Sequence, residues 1–519
     1  MAFRQLSLGR LTGRRPGRWL DWAAPLGFGL ALMVLTPWRT AFRFGVDEGF
    51  ELMKALLVSR GHPLYGAFWN DQPPLHTELL AGLFRIFGPS AGMGRFLTMA
   101  FAMLLVGALY GLTRRGSNRL AGVAAVGLLA SASGFLKLSV SVMLEVPAFA
   151  LGLASVWAWV RWQKDGRRRW LVVSGVLFGS ALQVKFTVAM LLPALAVDFA
   201  VWAWRRRQLG KKGTSGTRRG GRSGVFGEAG AWWEPAAVWL GSAAAVFVGV
   251  MLLWYQPGTW KVFWASHFSA NTRASAEVAK AIFHPTALEE DLALLVPAAA
   301  GLGLLGWKRR RELLFPAALL VTALAVHWQH QPFWPYYRLH FWIPLAWLGG
   351  AGLVEGFREL WRRFPPQTWP SRLGFAGGWL VWSLAASTAL TLAPEKTWFE
   401  LRQLRLCPLA NDQAHVAALR SQAAGVRWVF TIDKLAAFWA GLPIPPELAV
   451  IPAKRRWSGH LQPAEVKEVL ERYRPELILL PEPLAKSWGL GDYLKSHYQP
   501  AADLGGPFWR RRPDQGGDL

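Results

Sequence analysis

One cysteine, Cys407, is all that the 519 residues contain, which excludes an intrachain disulfide and a multi-cysteine metal site. Charge is scarce too: Asp, Glu, Lys and Arg make up 17% of the chain, against about 25% in ordinary soluble proteins. Acid is scarcer than base, 32 residues to 58, leaving a formal charge of +26. On a soluble domain that excess would suggest nucleic acid. Here the Arg residues form short clusters between apolar segments, the pattern of cytoplasmic loops held against anionic headgroups, so membrane lipid is the expected partner and nucleic acid is not. What takes the place of charge is apolar length: 52% apolar residues, 31 Trp and 30 Phe, with a mean hydropathy of +0.21. Such a chain is read as a polytopic membrane protein.

A helix rising about 1.5 Å per residue needs about 20 apolar residues to cross a hydrocarbon core about 30 Å thick. By that measure the sequence predicts about eleven spans, at 20–38, 96–113, 120–136, 143–160, 170–184, 187–204, 236–254, 288–306, 313–327, 339–355 and 374–393. Alternate connections are basic: Arg10, Arg14, Arg15 and Arg18; Arg114, Arg115 and Arg119; Arg161 to Arg169; Arg205 to Arg222; Lys308 to Arg311; Arg358 to Arg372. Basic connections stay in the cytoplasm. The N-terminus is therefore expected inside the inner or plasma membrane and, with an odd number of spans, the C-terminus outside. No small-residue cleavage site follows the basic start, so the first apolar segment is read as a retained span. The stretch from Gln208 to Gly227 reads as a flexible basic linker.

After Ala393 the pattern changes. Val429 to Ile432 and Leu477 to Leu480 read as buried strands, and Ala464 to Tyr473 places Val466, Val469 and Leu470 on one helical face. The expected fold class is thus mainly α: a transmembrane helical bundle over 1–393, a linker over 394–424, and a small α/β domain over 425–519 on the non-cytoplasmic side.

The first outer connection, about 39–95, holds the densest chemistry. Gly45-Val46-Asp47-Glu48-Gly49 places two adjacent carboxylates close to the membrane surface. Such a pair is a solvated loop feature, a general base with its neighbour, or a ligand set for a divalent cation, the one cofactor left open. Gly61-His62-Pro63-Leu64-Tyr65 follows, then Phe68-Trp69-Asn70-Asp71-Gln72-Pro73-Pro74-Leu75-His76, whose double proline forbids continuous helix. Arg95 opens the next span, where a cation either meets a lipid phosphate or anchors the helix by snorkelling. Lys185 has the same two readings.

Taken in order, Asp47-Glu48, Gly61 to Tyr65, Gln72-Pro73-Pro74-Leu75 and Gly94-Arg95-Phe96 resemble the family of protein O-mannosyltransferases and bacterial lipid A aminoarabinose transferases. Met143-Leu144-Glu145-Val146-Pro147, Val184-Lys185-Phe186-Thr187 and Pro335-Tyr336-Tyr337-Arg338 extend the likeness, which covers most of the first 200 residues and the remainder as topology. Members of that family are C-type glycosyltransferases using polyprenyl-phosphate sugars. The resemblance implies inverting transfer to an acceptor hydroxyl of a glycan, lipid or protein on the non-cytoplasmic face. Asp47 would be the general base, Glu48 would orient the acceptor or tune that base, and Glu145 would be a second acid in the same cavity. Arg95 and Lys185 would stabilise the departing phosphate. Tyr336 and Tyr337 would line the donor groove, with His62, Tyr65, Gln72, His76 and Arg338 as further groove residues. Two positions depart from the pattern: Glu145 stands where some relatives have aspartate, and Gln72 where eukaryotic mannosyltransferases have histidine.

Other candidates are weaker. His327, His330 and His340 lie near one another without a carboxylate, so no metal is assigned there. Gly301 to Gly306 matches a dinucleotide fingerprint but lies inside an expected span, where close helix packing accounts for it. A transporter of a lipid-linked or anionic solute is the competing reading; few acids fall mid-span and no internal repeat is visible. A membrane-anchored scaffold would leave the outer-loop residues unexplained.

Overall fold

In hydrocarbon a backbone can satisfy its polar groups only internally, so each long apolar run folds as helix. A computed structural model describes residues 20–213, 232–254, 259–269, 282–308, 311–362 and 369–513. The basic N-terminal run and most of the Gln208–Gly227 stretch lie outside the described residues. The helices are α1 (Leu20–Leu35), α2 (Glu48–Ser59), α3 (Leu75–Phe87), α4 (Ala91–Gly116), α5 (Arg119–Ala130), α6 (Phe135–Val140), α7 (Glu145–Asp165), α8 (Arg168–Leu182), α9 (Leu191–Gly213), α10 (Glu234–Trp254), α11 (Thr259–Trp264), α12 (Leu292–Lys308), α13 (Leu314–Gln329), α14 (Leu339–Arg362) and α15 (Trp369–Arg405).

The chain is a multi-pass membrane protein, and the expected spans fall on α1, α4, α5, α7 to α10 and α12 to α15. Among the described residues five helical stretches are long and apolar enough to cross a membrane outright: Ala91–Gly116, Phe186–Gln208, Glu234–Leu253, Arg311–Gln329 and Gly374–Arg405. The span expected over 120–136 is broken, because Gly134 adopts φ +100° and starts the short α6. Several helix pairs pack at backbone distance. A Cβ on Gly175 of α8 would lie 2.5 Å from the Trp239 carbonyl of α10, and one on Gly352 of α14 would lie 2.5 Å from the Gly301 nitrogen of α12. The glycines around 301 thus serve helix contact.

Charged side chains tie one end of the bundle together. Asp21 of α1 pairs with Arg114 and Arg119, Glu355 of α14 accepts from Ser117 and Asn118, Arg168 of α8 meets Glu234 of α10, and Arg311 lies over Trp204 of α9. The starts of α2, α4, α7 and α14 and the end of α8 belong to the opposite end of their helices.

The C-terminal residues build a four-stranded sheet from β1 (Val429–Thr431), β2 (Leu477–Leu479), β3 (Tyr498–Pro500) and β4 (Phe508–Arg511), in the order β1-β2-β4-β3. β1 and β2 run parallel with Phe430 opposite Ile478, and β4 is antiparallel to both β2 and β3. Val466, Val469 and Leu470 of the helix Pro463–Tyr473 are buried against this sheet's core. The stretch read as a linker over 394–424 is packed instead. α15 continues to Arg405 through Pro394, Phe42 donates its N–H to the Pro408 carbonyl and Ala410 donates to the Thr40 carbonyl, and Val416 and Leu419 join the core of the α/β domain. That domain also covers α2: a Cβ on Gly49 would lie 2.9 Å from the Leu435 nitrogen.

Candidate active site

The connection expected as a loop over 39–95 contains α2 and α3, and that local order fixes the carboxylates. Asp47 is the N-cap of α2, but its side chain bonds none of the helix's free amides. Asp47 is half-buried; its backbone carbonyl accepts from the N–H groups of Phe50 and Glu51, but its carboxylate accepts no hydrogen bond from any described residue. Burial pushes its pKa up to about 6, with Lys185 pulling the other way and the charges of Glu145, Glu51 and Asp71 adding to the rise. An unbonded carboxylate with a pKa near neutrality can accept a proton.

Lys185, at the end of α8, pairs with Glu145 at the first turn of α7. Its ammonium lies 4.8 Å from the Tyr336 ring centre and 5.5 Å from that of Tyr337. Burial alone would lower the Lys185 pKa, but the Glu145 carboxylate more than offsets it and the shift is upward. Lys185 is therefore a fixed cation. Both tyrosines are held above their ordinary pKa, first by burial. The structure thus brings Asp47, Glu145, Lys185, Tyr336 and Tyr337 together.

Glu48 and Arg95 occupy a different place from the one the sequence suggested. Both are fully buried. Arg95 Nε donates to Glu48 Oε1 at 2.8 Å, and Nη2 donates to Glu48 Oε2 at 2.9 Å and the Phe42 carbonyl at 3.3 Å. Nη1 donates to the carbonyls of Trp38 and Ala41 at 3.0 and 2.7 Å. All five guanidinium N–H groups are thereby engaged. The Glu48 oxygens also accept from the backbone N–H groups of Phe44 and Val142. The pair fastens the chain before α2 to α4, and Arg95 has no donor left for a lipid phosphate.

The expected groove residues divide likewise. Tyr65 is buried at φ 62°, and its hydroxyl donates to the Gln72 carbonyl, which also accepts from Asn70 at 2.6 Å. These bonds shape the turn before Pro73-Pro74, and it is the Gln72 carbonyl, not its side chain, that they hold. His76 is fully buried behind α2 with Nδ1 3.9 Å from Glu51, and burial lowers its pKa to about 3. It is a neutral interior residue and not a groove residue. His62 packs edge-on against Trp428 of the α/β domain. Arg338 points to Glu290, at 2.7 Å. None of these last three meets the Asp47 cluster.

Several neighbours of Asp47 escaped the sequence reading. Glu51 lies one helical turn after it and pairs with the buried Lys54 at 2.8 Å, which also donates to Asn70. Reading 48–59 as helix would have put Asp47 and Glu51 on one face. Asp71 sits beside the double-proline turn and faces Lys454 of the α/β domain at 3.9 Å; no local pattern announces that pairing. His327 and His340, weighed above as metal ligands, bond each other at 2.8 Å and stack on Tyr337. Among the described residues no three His, Cys, Asp or Glu side chains gather as metal ligands.

The carboxylates and a cation thus gather at one end of a helical membrane bundle that carries a small α/β domain, and the fold, by its likeness to solved structures, is of the C-type glycosyltransferase kind. Residues 71–216 match the sequence model of the family described as dolichyl-phosphate-mannose-protein mannosyltransferase. The structure is similar to ArnT from Cupriavidus metallidurans bound to undecaprenyl phosphate, with a TM-score of 0.60 at 15% identity over 96% of this chain and 99% of that one. The apo form of the same protein matches with a TM-score of 0.60 at 16% identity, covering 93% and 98%. The oligosaccharyltransferase AglB from Archaeoglobus fulgidus aligns with a TM-score of 0.49 at 15% identity over 96% of this chain and 75% of that one. No curated protein matches the sequence.

Proposed function

We propose that this protein transfers a sugar from a polyprenyl-phosphate carrier to an acceptor hydroxyl on the non-cytoplasmic face of the inner or plasma membrane, with inversion. The observation that carries the reading is Asp47: a half-buried carboxylate without a described hydrogen-bond donor, near the Lys185–Glu145 pair and raised to about 6. Its fold relative with undecaprenyl phosphate bound supports the choice of donor lipid, and the partial match to mannosyltransferases supports the reaction class.

In this mechanism Asp47 takes the proton of the acceptor hydroxyl as that oxygen attacks the anomeric carbon from the face opposite the phosphate. The new glycosidic bond forms, the anomeric carbon–oxygen bond to phosphate breaks, and the electron pair leaves with the polyprenyl phosphate. Lys185 opposes the charge that grows on that group, where a cation in a water-poor site acts most strongly. Glu145 keeps Lys185 charged and in place. The Tyr336 and Tyr337 rings hold the ammonium from the side. Arg95 and Glu48 act by fastening the segment that presents Asp47.

Asp47→Asn is close to isosteric but cannot accept the proton. It should leave the protein folded and able to retain polyprenyl phosphate while transfer falls by about 10²–10⁴. Wild-type turnover by Asp47→Asn, measured with a polyprenyl-phosphate sugar and a competent acceptor, removes Asp47 from the mechanism. Movement of lipid-linked substrate across vesicles without any new glycosidic bond would replace the reading by a transporter.

A further inference from the structure

The leaving polyprenyl phosphate gains negative charge as the sugar departs, and among the described residues the cations around the site are nearly all committed. Arg95 spends its five donors inside the protein. Lys54 is buried on Glu51 and Asn70, Arg338 is paired with Glu290, and the charge of Lys185 is matched by Glu145. Lys454 differs. Its ammonium donates to the Ser266 carbonyl at 3.0 Å, and its carboxylate neighbour Asp71 is 3.9 Å away, beyond a tight ion pair. About a third of its side chain is exposed (32%).

Its position is fixed from both sides. The short helix Ala453–Trp457 that carries it is held by Arg455, which donates to the carbonyls of Glu447, Val450 and His460. Ser266 is buried, and its hydroxyl donates to the Asn70 carbonyl at 2.6 Å, tying Lys454's acceptor to the turn that bears Asp71. At the other end of that helix Trp457 lies over Trp334, with ring planes 8° apart and centres 6.2 Å apart. Trp334 stacks on Tyr336, and Tyr336 carries the Lys185 ammonium. A row of three rings therefore runs from the helix of one lysine to the other lysine. His330 lies within reach of both ammonium charges: burial lowers its pKa first, and Lys454 and Lys185 lower it further.

We infer that Lys454, supplied by the α/β domain, is a second phosphate-binding cation of the donor site, working with Lys185 and taking the place that Arg95 cannot fill. This rests on the polyprenyl-phosphate reading above. A phosphate monoester bound between the two lysines would draw Lys454 from the distant Asp71 carboxylate to a closer anion, with no other ion pair among the described residues to break. The α/β domain then takes part in donor binding.

The test uses the full-length protein in detergent and two probes that share a chain, undecaprenyl phosphate and undecaprenol. The quantity read is the ratio of the two affinities within each variant, which cancels a general loss of folded protein. In wild type the phosphate should be preferred. Lys454→Met should reduce that preference about tenfold, and Lys454→Arg, which keeps the charge, should restore it to within about threefold; about tenfold is the loss of one charge-assisted contact. An unchanged ratio in Lys454→Met, or equal weakening of both lipids, would make Lys454 a tie between domains and overturn the inference. If wild type shows no preference for the phosphate, the donor reading itself fails, and that result is separate from any effect of Lys454.

Discussion

At the scale of the residue, chemistry and architecture are divided between two adjacent acids. The Asp47 carboxylate has no hydrogen-bond partner among the described residues and an elevated pKa, whereas Glu48 is consumed by Arg95 and two backbone amides. If Asp47 is the base, it works only when ionised, so transfer should decline about tenfold per pH unit below about 6, the value to which burial raises it. The linked stability term has the opposite trend. A carboxyl with a higher pKa folded than unfolded holds its proton better in the folded state, so its contribution diminishes as pH rises from 3.8 to about 6. A pH–rate profile without an acid limb near 6 would separate Asp47 from the proton transfer. Arg95→Ala should behave as a folding lesion, leaving Glu48 buried and unpaired at a cost of about 3–5 kcal/mol. Thermal unfolding should show the loss, and joint replacement of Glu48 and Arg95 by methionine should recover part of it; a stable Arg95→Ala with only a raised KM would return Arg95 to the donor site. The sequence marked both residues as special, but not which was structural. That depended on the start of α2 meeting the start of α4 across 47 positions.

Among elements, α2 is the piece on which the site depends, and it was hidden. Its 12 residues are too few for a span, its apolar run is interrupted by Glu51 and Lys54, and the Pro-rich turn after it suggested loop throughout. The long apolar helices were legible because lipid leaves few alternatives for such runs, and β1, β2 and the helix Pro463–Tyr473 were legible because period and burial agree there. The contact between α2 and the helix Lys434–Trp439 of the α/β domain was not, since only the absence of a side chain at Gly49 records it. Gly49→Ala would place a methyl 2.9 Å from the Leu435 nitrogen and 3.2 Å from the Cβ atoms of Leu435 and Lys434. Overpacking of this kind costs about 1–3 kcal/mol, and shifting α2 shifts Asp47. Gly49→Ala should therefore lower both thermal stability and transfer rate. Gly82→Ala in α3, where nothing lies within 4 Å of the added carbon, should be neutral or slightly stabilising. Equal behaviour of the two variants would mean that the domain does not press on α2.

Across the whole molecule, charge and chemistry sit at opposite ends of the helices. The ties among Asp21, Arg114, Arg119, Glu355, Arg168, Glu234 and Arg311 gather the basic connections at one end, while Asp47, Glu145, Lys185, Tyr336 and the α/β domain occupy the other. Positive connections remain on the cytoplasmic side during insertion, so the site and the α/β domain should face outward. Arg clustering made the gathering of charge at one end readable from sequence, because the rule acts on short connections whatever the helices do inside; the side that this end faces is what labelling decides. Cys407, half-buried at the end of α15, is the only thiol in the chain, so replacing it with serine gives a background for placing a single cysteine at will. In that background Asp503→Cys, on an exposed turn of the α/β domain, should react in intact cells with a membrane-impermeant maleimide. Arg167→Cys, exposed between α7 and α8, should react only after the membrane is broken. The reverse pattern would turn the protein over in the membrane and place the Asp47 site in the cytoplasm. Labelling of both positions in intact cells would mean that α7 and α8 do not both span, because an outward α/β domain and an outward Arg167 cannot coexist with the basic end held inside.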